Sequence, residues 1–390
     1  MEAITKTLFD ALMRYQGWPC ASVYLPTHPG GFEGQSGRVR LKNLLAEAEE
    51  QLVSRGMRAV EARDFMASAN ELVGNEVFWR NQTEGLAVFA SPEATRAYYL
   101  PVAAHELAVV NSRFHVAPLL PLVDRETDFY ILTVSENRAR FLKADRWHAA
   151  DVALPDLPAD AKEALHYDHP SDTRQFHTAV LGRGMSKLGA YHGSGNFFEH
   201  EKDELLEYFR VIDRALHPAM CDERAPLVFV GVDYLFPIYQ QANTYPHLAE
   251  AHVPGNSDTW SDQQLHEKAW HCVAPQFEKP KQTALARYSE LPVDGLKSDD
   301  LRVILGAACQ GQVESLLVDA EQPVWGKWDD EHRRLRLDPE RRGDSNDMLD
   351  LAIVQTLAHR GAAYSVPSSE LRHGKRCEAI FRYELAPSAR

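Results

Sequence analysis

No apolar run approaches the roughly 18 residues that a membrane-spanning helix needs. The opening stretch MEAITKTLFDALMRYQGW has neither the basic segment nor the apolar core of an export signal. A cytoplasmic protein without a membrane partner is therefore expected. Cysteine is scarce: Cys20, Cys221, Cys272, Cys309 and Cys377 are scattered, with no C-x-x-C pair. That excludes a disulfide framework and gives no zinc-ligand spacing. His271 beside Cys272 reads as two helix residues facing different ways. Basic charge is also short, with 42 Lys and Arg against 56 Asp and Glu, a net −14. A broad nucleic-acid-binding face is excluded, and any phosphate contact has to come from a few local clusters.

Enzyme signatures are missing as well. There is no H-E-x-x-H, and His166, Asp168 and His169 lack a third ligand at an element end. His192-Gly193-Ser194-Gly195 is not a nucleophile elbow, which needs glycines two before and two after the serine. Gly182-Arg183-Gly184 is neither a dinucleotide fingerprint nor a Walker loop, because Lys187 stands where the third glycine belongs and no G-K-[ST] follows. No cofactor and no metal are predicted, and catalysis by this chain alone is not indicated.

What is present is an α/β chain of 390 residues, long enough for two or three cores. Turn chemistry at Pro118–Asp124 and at Pro254–Asp258 predicts three domains, 1–125, 126–258 and 259–390, with net charges of −2, −9 and −3. The first has a helix over 3–16, a strand over Cys20–Leu25, and a helix beginning near Arg38 that puts Leu41, Leu44, Leu45, Ala48 and Leu52 on one face. Arg38, Arg40 and Lys42 would then load the first turn of that helix, where an anion is the favoured guest. The middle domain reads as a three-layer α/β unit: a hairpin of Phe129–Val134 and Arg138–Leu142, a strand Leu227–Val232, and a helix over 199–216. The last reads as an αβα sandwich carrying two basic runs, Arg333-Arg334-Leu335-Arg336 with Arg341-Arg342, and Arg372-His373-Gly374-Lys375-Arg376.

The chain is organised around Leu181–Phe198, L-G-R-G-M-S-K-L-G-A-Y-H-G-S-G-N-F-F, placed between an expected strand near 175–180 and the helix over 199–216. It holds five glycines, Gly182, Gly184, Gly189, Gly193 and Gly195, with Arg183, Lys187 and His192 and no acid. Such a stretch is expected to be a mobile cationic loop suited to a polyanion.

Several motifs together resemble a known family. These are S-V-Y-L-P-T-H from Ser22, R-V-R-L-K-N-L-L from Arg38, F-W-R-N-Q-T-E-G-L-A-V-F from Phe78, H-G-S-G from His192 ahead of E-K-D-E-L-L-E-Y-F-R-V-I-D, and G-Q-V-E-S-L-L-V from Gly311. They are similar to the bacterial relatives of the archaeal and eukaryotic class I peptide-chain release factors and of Pelota. The resemblance implies a variable N-terminal domain, a ribonuclease-H-like middle domain, and a C-terminal domain with the fold of kink-turn-binding ribosomal proteins. It further implies action at the ribosomal A site, with rRNA as the surface met and a delivery GTPase such as elongation factor Tu as a partner. Release factors carry Gly-Gly-Gln in the middle-domain loop; this loop has neither Gly-Gly nor glutamine. Pelota-like binding of idle or stalled ribosomes, in hibernation or rescue, is thus implied rather than termination. The RNA-contacting set would be Gly182, Arg183, Gly184, Lys187, Tyr191, His192, Gly193 and Gly195, with Arg38, Arg40 and Lys42. The alternatives are a peptidyl-tRNA ester hydrolase using His192, and an interaction module that never meets the ribosome.

Overall fold

The computed structural model describes residues 4–28, 34–123, 127–135, 138–158, 195–292 and 295–385. Contacts divide the chain into two compact units, one of Met1–Glu126 with Pro280–Arg390 and the other of Thr127–Lys279. Residues 259–279, placed by the sequence in the last domain, thus fall with the middle unit.

The chain opens with α1 (Lys6–Arg14), capped by the Thr5 hydroxyl accepting from Leu8 N, and β1 (Cys20–Pro26). Then come α2 (Gly34–Ser54), α3 (Ala59–Phe65), α4 (Ala67–Gly74), α5 (Glu76–Arg80), β2 (Gly85–Ala90), β3 (Thr95–Leu100) and β4 (Leu107–Asn111). The four strands form an antiparallel sheet in the order β3-β2-β1-β4. Strand alternation divides its residues between two cores. Leu41, Leu44, Leu45, Ala48 and Leu52 of α2 cover Val23, Leu25, Leu86 and Val88 on one face. Phe9, Leu12 and Met13 of α1 cover Tyr24, Phe89 and Tyr98 on the other. The five leucine and alanine positions are those the periodicity selects, but the helix starts at Gly34 rather than near Arg38. A short α6 (Leu120–Val123) follows.

The middle unit has β5 (Phe129–Val134), β6 (Ala139–Ala144), β7 (Ala149–Asp151), α7 (Gly195–Met220), β8 (Leu227–Gly231), α8 (Leu235–Ala242), β9 (Val253–Pro254) and the larger part of α9 (Asp262–Glu290), whose residues from Pro280 on belong to the other unit. Its mixed sheet runs β7-β6-β5-β8-β9, with β5, β8 and β9 parallel and β6 antiparallel to both neighbours. Tyr208, Phe209, Ile212 and Leu216 of α7 and Tyr239 of α8 pack on one face against Leu132, Phe141 and Phe229. Leu265, Ala269 and Val273 of α9 pack on the other against Ile131, Leu142 and Val228. These are the three layers expected.

The remaining chain adds β10 (Lys297–Ser298), α10 (Leu301–Cys309), β11 (Val313–Val318), β12 (Trp325–Asp329), β13 (Arg334–Leu337), β14 (Asn346–Asp347), α11 (Met348–Ala358), β15 (Ala362–Ser365) and β16 (Cys377–Phe381). One sheet, β10-β16-β11-β15, places Leu316 and Val318 under α10 and α11, and Leu317 and Ile380 under Ala284 and Tyr288 of α9. This is the expected αβα sandwich. A second sheet, β13-β12-β14, was not read from the sequence. Val354 of α11 also enters the core beneath α1, so the two segments of this unit share apolar packing.

Candidate functional site

Of the expected RNA-contacting residues, Gly182, Arg183, Gly184, Lys187, Tyr191, His192 and Gly193 lie outside the described residues, as do His166, Asp168 and His169. Gly195 is the first residue of α7. The stem behind that point is well fastened. Phe209 of α7 meets Phe229 and Tyr239 edge-on, at 6.0 and 5.4 Å between ring centroids. Asp213 of α7 accepts from Thr244 N at 2.9 Å and from the Thr244 hydroxyl at 2.7 Å.

The cations of α2 sit differently from expectation. With the helix starting at Gly34, Arg38, Arg40 and Lys42 occupy later turns than the first, beyond the reach of the terminal dipole. The helix-terminus anion site is therefore withdrawn. Arg40 pairs with Glu106 at 3.3 Å, and Nε of Arg38 is buried with no hydrogen-bond partner among the described residues. Lys42 is exposed.

The two basic runs are largely occupied by the protein itself. Arg336 binds Asp338 and Asp344 at 3.1 and 3.0 Å, and Arg342 lies 3.4 Å from Asp338. Arg341 stacks 4.5 Å over Trp325 and donates to Ala108 O and to Gln51. Burial pushes its guanidinium down to about 10. Arg372 donates to Ser289 O, Lys375 lies 3.6 Å from Asp299, and Arg376 binds Asp319 at 2.8 Å. Arg333 and Arg334, at the β12–β13 corner, remain exposed and without an ion-pair partner among the described residues.

A buried polar joint ties the two segments of the first unit together. Asp350 accepts from Val116 N at 2.7 Å, Ala117 N at 2.9 Å and the Arg113 guanidinium at 3.0 Å. Asp347, the N-cap of α11, accepts from Leu349 N and Val324 N and lies 3.0 Å from Nε2 of His115. His115 N–H donates to the Ser22 hydroxyl, and the Tyr24 hydroxyl donates to His115 O at 2.6 Å. Burial acts to lower the His115 imidazolium, but Asp350 and Asp347 outweigh it and hold it above its ordinary value.

The middle unit contains an open polar cavity of about 720 Å³ lined by Thr133, Arg138, Arg140, Asp151, Trp260 and Asp262, with Ser257, Asp258 and Ser261 on the same wall. Arg140 is clamped: Nε and an Nη donate to Asp151 at 2.9 and 2.7 Å, and the same Nη donates to Asp262 at 2.8 Å. Sequence reading missed this group because its members stand 11 and 122 residues apart.

No group of three metal-ligating side chains occurs among the described residues. Burial pushes the thiols of Cys20 and Cys377 up to about 12 and that of Cys309 to about 11, so none of these three is a thiolate nucleophile. No described helix is long and apolar enough to cross a membrane.

Residues 129–275, from the first strand of the mixed sheet into α9, match the family model of bacterial archaeo-eukaryotic release factor family 7. Over that segment the chain resembles the bacterial archaeo-eukaryotic release factors. Among solved structures, ribosome-bound archaeal Pelota, described together with ABCE1, is 11% identical over 99% of this chain and 96% of its own, with a TM-score of 0.38. Dom34 of S. cerevisiae is 10% identical over 78% and 80%, at 0.35. The archaeal translation termination factor aRF1 is 13% identical over 98% and 99%, at 0.23. No curated protein matches the chain by sequence.

Proposed function

We propose that the chain is a ribosome-binding factor that occupies the A site of idle or stalled ribosomes, in hibernation or rescue, without release chemistry. The observation that carries this reading is the release-factor family match over residues 129–275, a segment whose stretch 181–198 contains no Gly-Gly-Gln. In this reading residues 1–125 approach the decoding centre, 126–258 present the loop toward the peptidyl transferase centre, and 259–390 form the third domain. Arg183 and Lys187 neutralise rRNA phosphates, the loop glycines allow close backbone approach, and Tyr191 and His192 stack on unpaired bases. Lys42 adds a cation at the other end. Elongation factor Tu is the GTPase proposed to deliver the chain.

Co-sedimentation with vacant 70S ribosomes at two salt concentrations tests this. The intact chain is expected to travel with the particles, more weakly at high salt, and deletion of 182–195 is expected to abolish the association. A chain that stays at the top of the gradient at low salt, with elongation factor Tu and GTP present, removes the proposal. Release of labelled peptide that is lost on His192→Ala would replace it with a hydrolase.

A further inference from the structure

The cavity of the middle unit has no part in the reading above, and its construction points to a ligand. It lies by Thr133, next to last in β5, and by the segment following β9, so it opens at the carboxyl ends of parallel strands. That is where open α/β sheets hold their ligands. Its volume, about 720 Å³, falls within the range of small-molecule sites.

The rim is held in place from several sides. Arg140 ties β6, β7 and the start of α9 through Asp151 and Asp262. Ser261 and Gln264 cap α9 reciprocally, at 3.2 and 3.1 Å. Trp260 is held by the Lys268 ammonium 5.0 Å from its ring centroid and by the backbone of Gly255, at φ +128°, where any Cβ would meet the indole at 3.0 Å.

Against this fixed frame stand polar groups without hydrogen-bond partners, the Arg138 guanidinium lying close enough to Asp151 to help Arg140 hold its carboxyl low. The Arg138 guanidinium, the Asp258 carboxylate, the Ser257 hydroxyl and the Trp260 indole N–H have no hydrogen-bond partner among the described residues, although all four line one cavity. Asp151 and Asp262 are taken by Arg140, which leaves one cation and one anion to meet a ligand.

We propose that this cavity is a binding site for a single nucleotide. The Trp260 ring takes the base, Asp258 accepts from an exocyclic amino group, Arg138 meets one phosphate, and Ser257 bonds the sugar or phosphate. One spare guanidinium beside three carboxylates matches a phosphodiester or monophosphate and rejects a di- or triphosphate. An acceptor at Asp258 favours adenine, cytosine or guanine over uracil, which has no amino group. The nucleotide comes from an unpaired stretch of RNA or from the free pool. The RNA source rests on the ribosome reading; the site itself does not.

The test is titration of the full-length chain, without ribosomes, against fluorescein-labelled triribonucleotides AAA and UUU, with unlabelled 5′-AMP and ATP as competitors. Saturable binding of AAA over UUU is expected, weakened ~10-fold or more by Arg138→Ala and by Trp260→Leu, with Asp258→Ala removing the preference for AAA. Arg138 and Asp258 are exposed, so their variants report on the site even if Trp260→Leu disturbs the core. Displacement by AMP with little affinity for AAA assigns the site to a free nucleotide; AAA tighter than AMP assigns it to RNA. No saturable binding of either at millimolar concentration, unchanged affinity in Arg138→Ala, or tightest binding by ATP overturns the proposal. Sedimentation of the parent chain with 70S ribosomes keeps the two readings separate: a parent chain that binds AAA but not ribosomes retains the site and loses the ribosome.

Discussion

His115 and Asp350 carry more of the first unit's stability than their polarity suggests. Both are buried, at 4% and 2% exposure, and they belong to segments far apart in the chain. Asp350→Ala leaves the Arg113 guanidinium and the Val116 and Ala117 N–H groups without their acceptor, and is expected to cost about 3–5 kcal/mol in urea unfolding. His115 gives a pH dependence of definite sign. Its folded value lies above the ordinary 6.5, so its contribution is complete below about 6.5 and is lost as pH rises through the folded value. The urea midpoint is therefore expected to fall as pH is raised from 6 through that range, and His115→Gln should flatten the fall. The groups facing His115 are Asp347, Asp350, Arg113 and Tyr24. None of this was legible in the sequence. The pairing of His115 with a carboxylate 232 residues away follows from tertiary packing alone.

At the level of elements, α2 shows what pattern reading captures and what it misses. Its buried face was legible because Leu41, Leu44, Leu45, Ala48 and Leu52 repeat at the helical period and meet a sheet on one side. Its start was not, since the turn chemistry of Pro26 to Gly37 masks a helix that begins at Gly34. Gly37 is there for space rather than for a turn: a Cβ would come within 2.7 Å of Cζ3 of Trp79, whose indole N–H donates to Leu72 O. Gly37→Val is expected to cost about 1–3 kcal/mol by overpacking, measurable as a lower thermal midpoint. Exposed Lys42 makes the opposite prediction. Lys42→Glu should leave the midpoint within about 0.5 kcal/mol of the parent while weakening sedimentation with ribosomes, and unchanged sedimentation would remove this helix from the proposed contact. The β12–β13 hairpin went unread because its arginines look like a solvated charge run, and only the fold brings Asp338 and Asp344 to Arg336.

On the scale of the molecule, the mixed sheet and the αβα sandwich were legible because their strands are short apolar runs separated by turn residues and helical repeats. The compact units were not, because α9, which begins at Asp262, runs unbroken across the division between them at 279/280. The middle segment is one uninterrupted stretch with its own sheet and two cores. Residues 127–279 produced alone are expected to unfold cooperatively in urea, whereas residues 1–126 alone lack the acceptors of Arg113, Val116 and Ala117 and should give a broad, low-midpoint transition.

That discontinuity sets the order in which the protein can be made. During synthesis His115 emerges long before its carboxylate: Asp347 follows 232 residues later, a wait of about 10–50 s at ~5–20 residues per second. Throughout that interval Arg113 and His115 lie open while the middle unit, complete at Lys279, is free to fold first. The oldest part of the nascent chain is thus the last to mature, and its first half is the segment most in need of a chaperone.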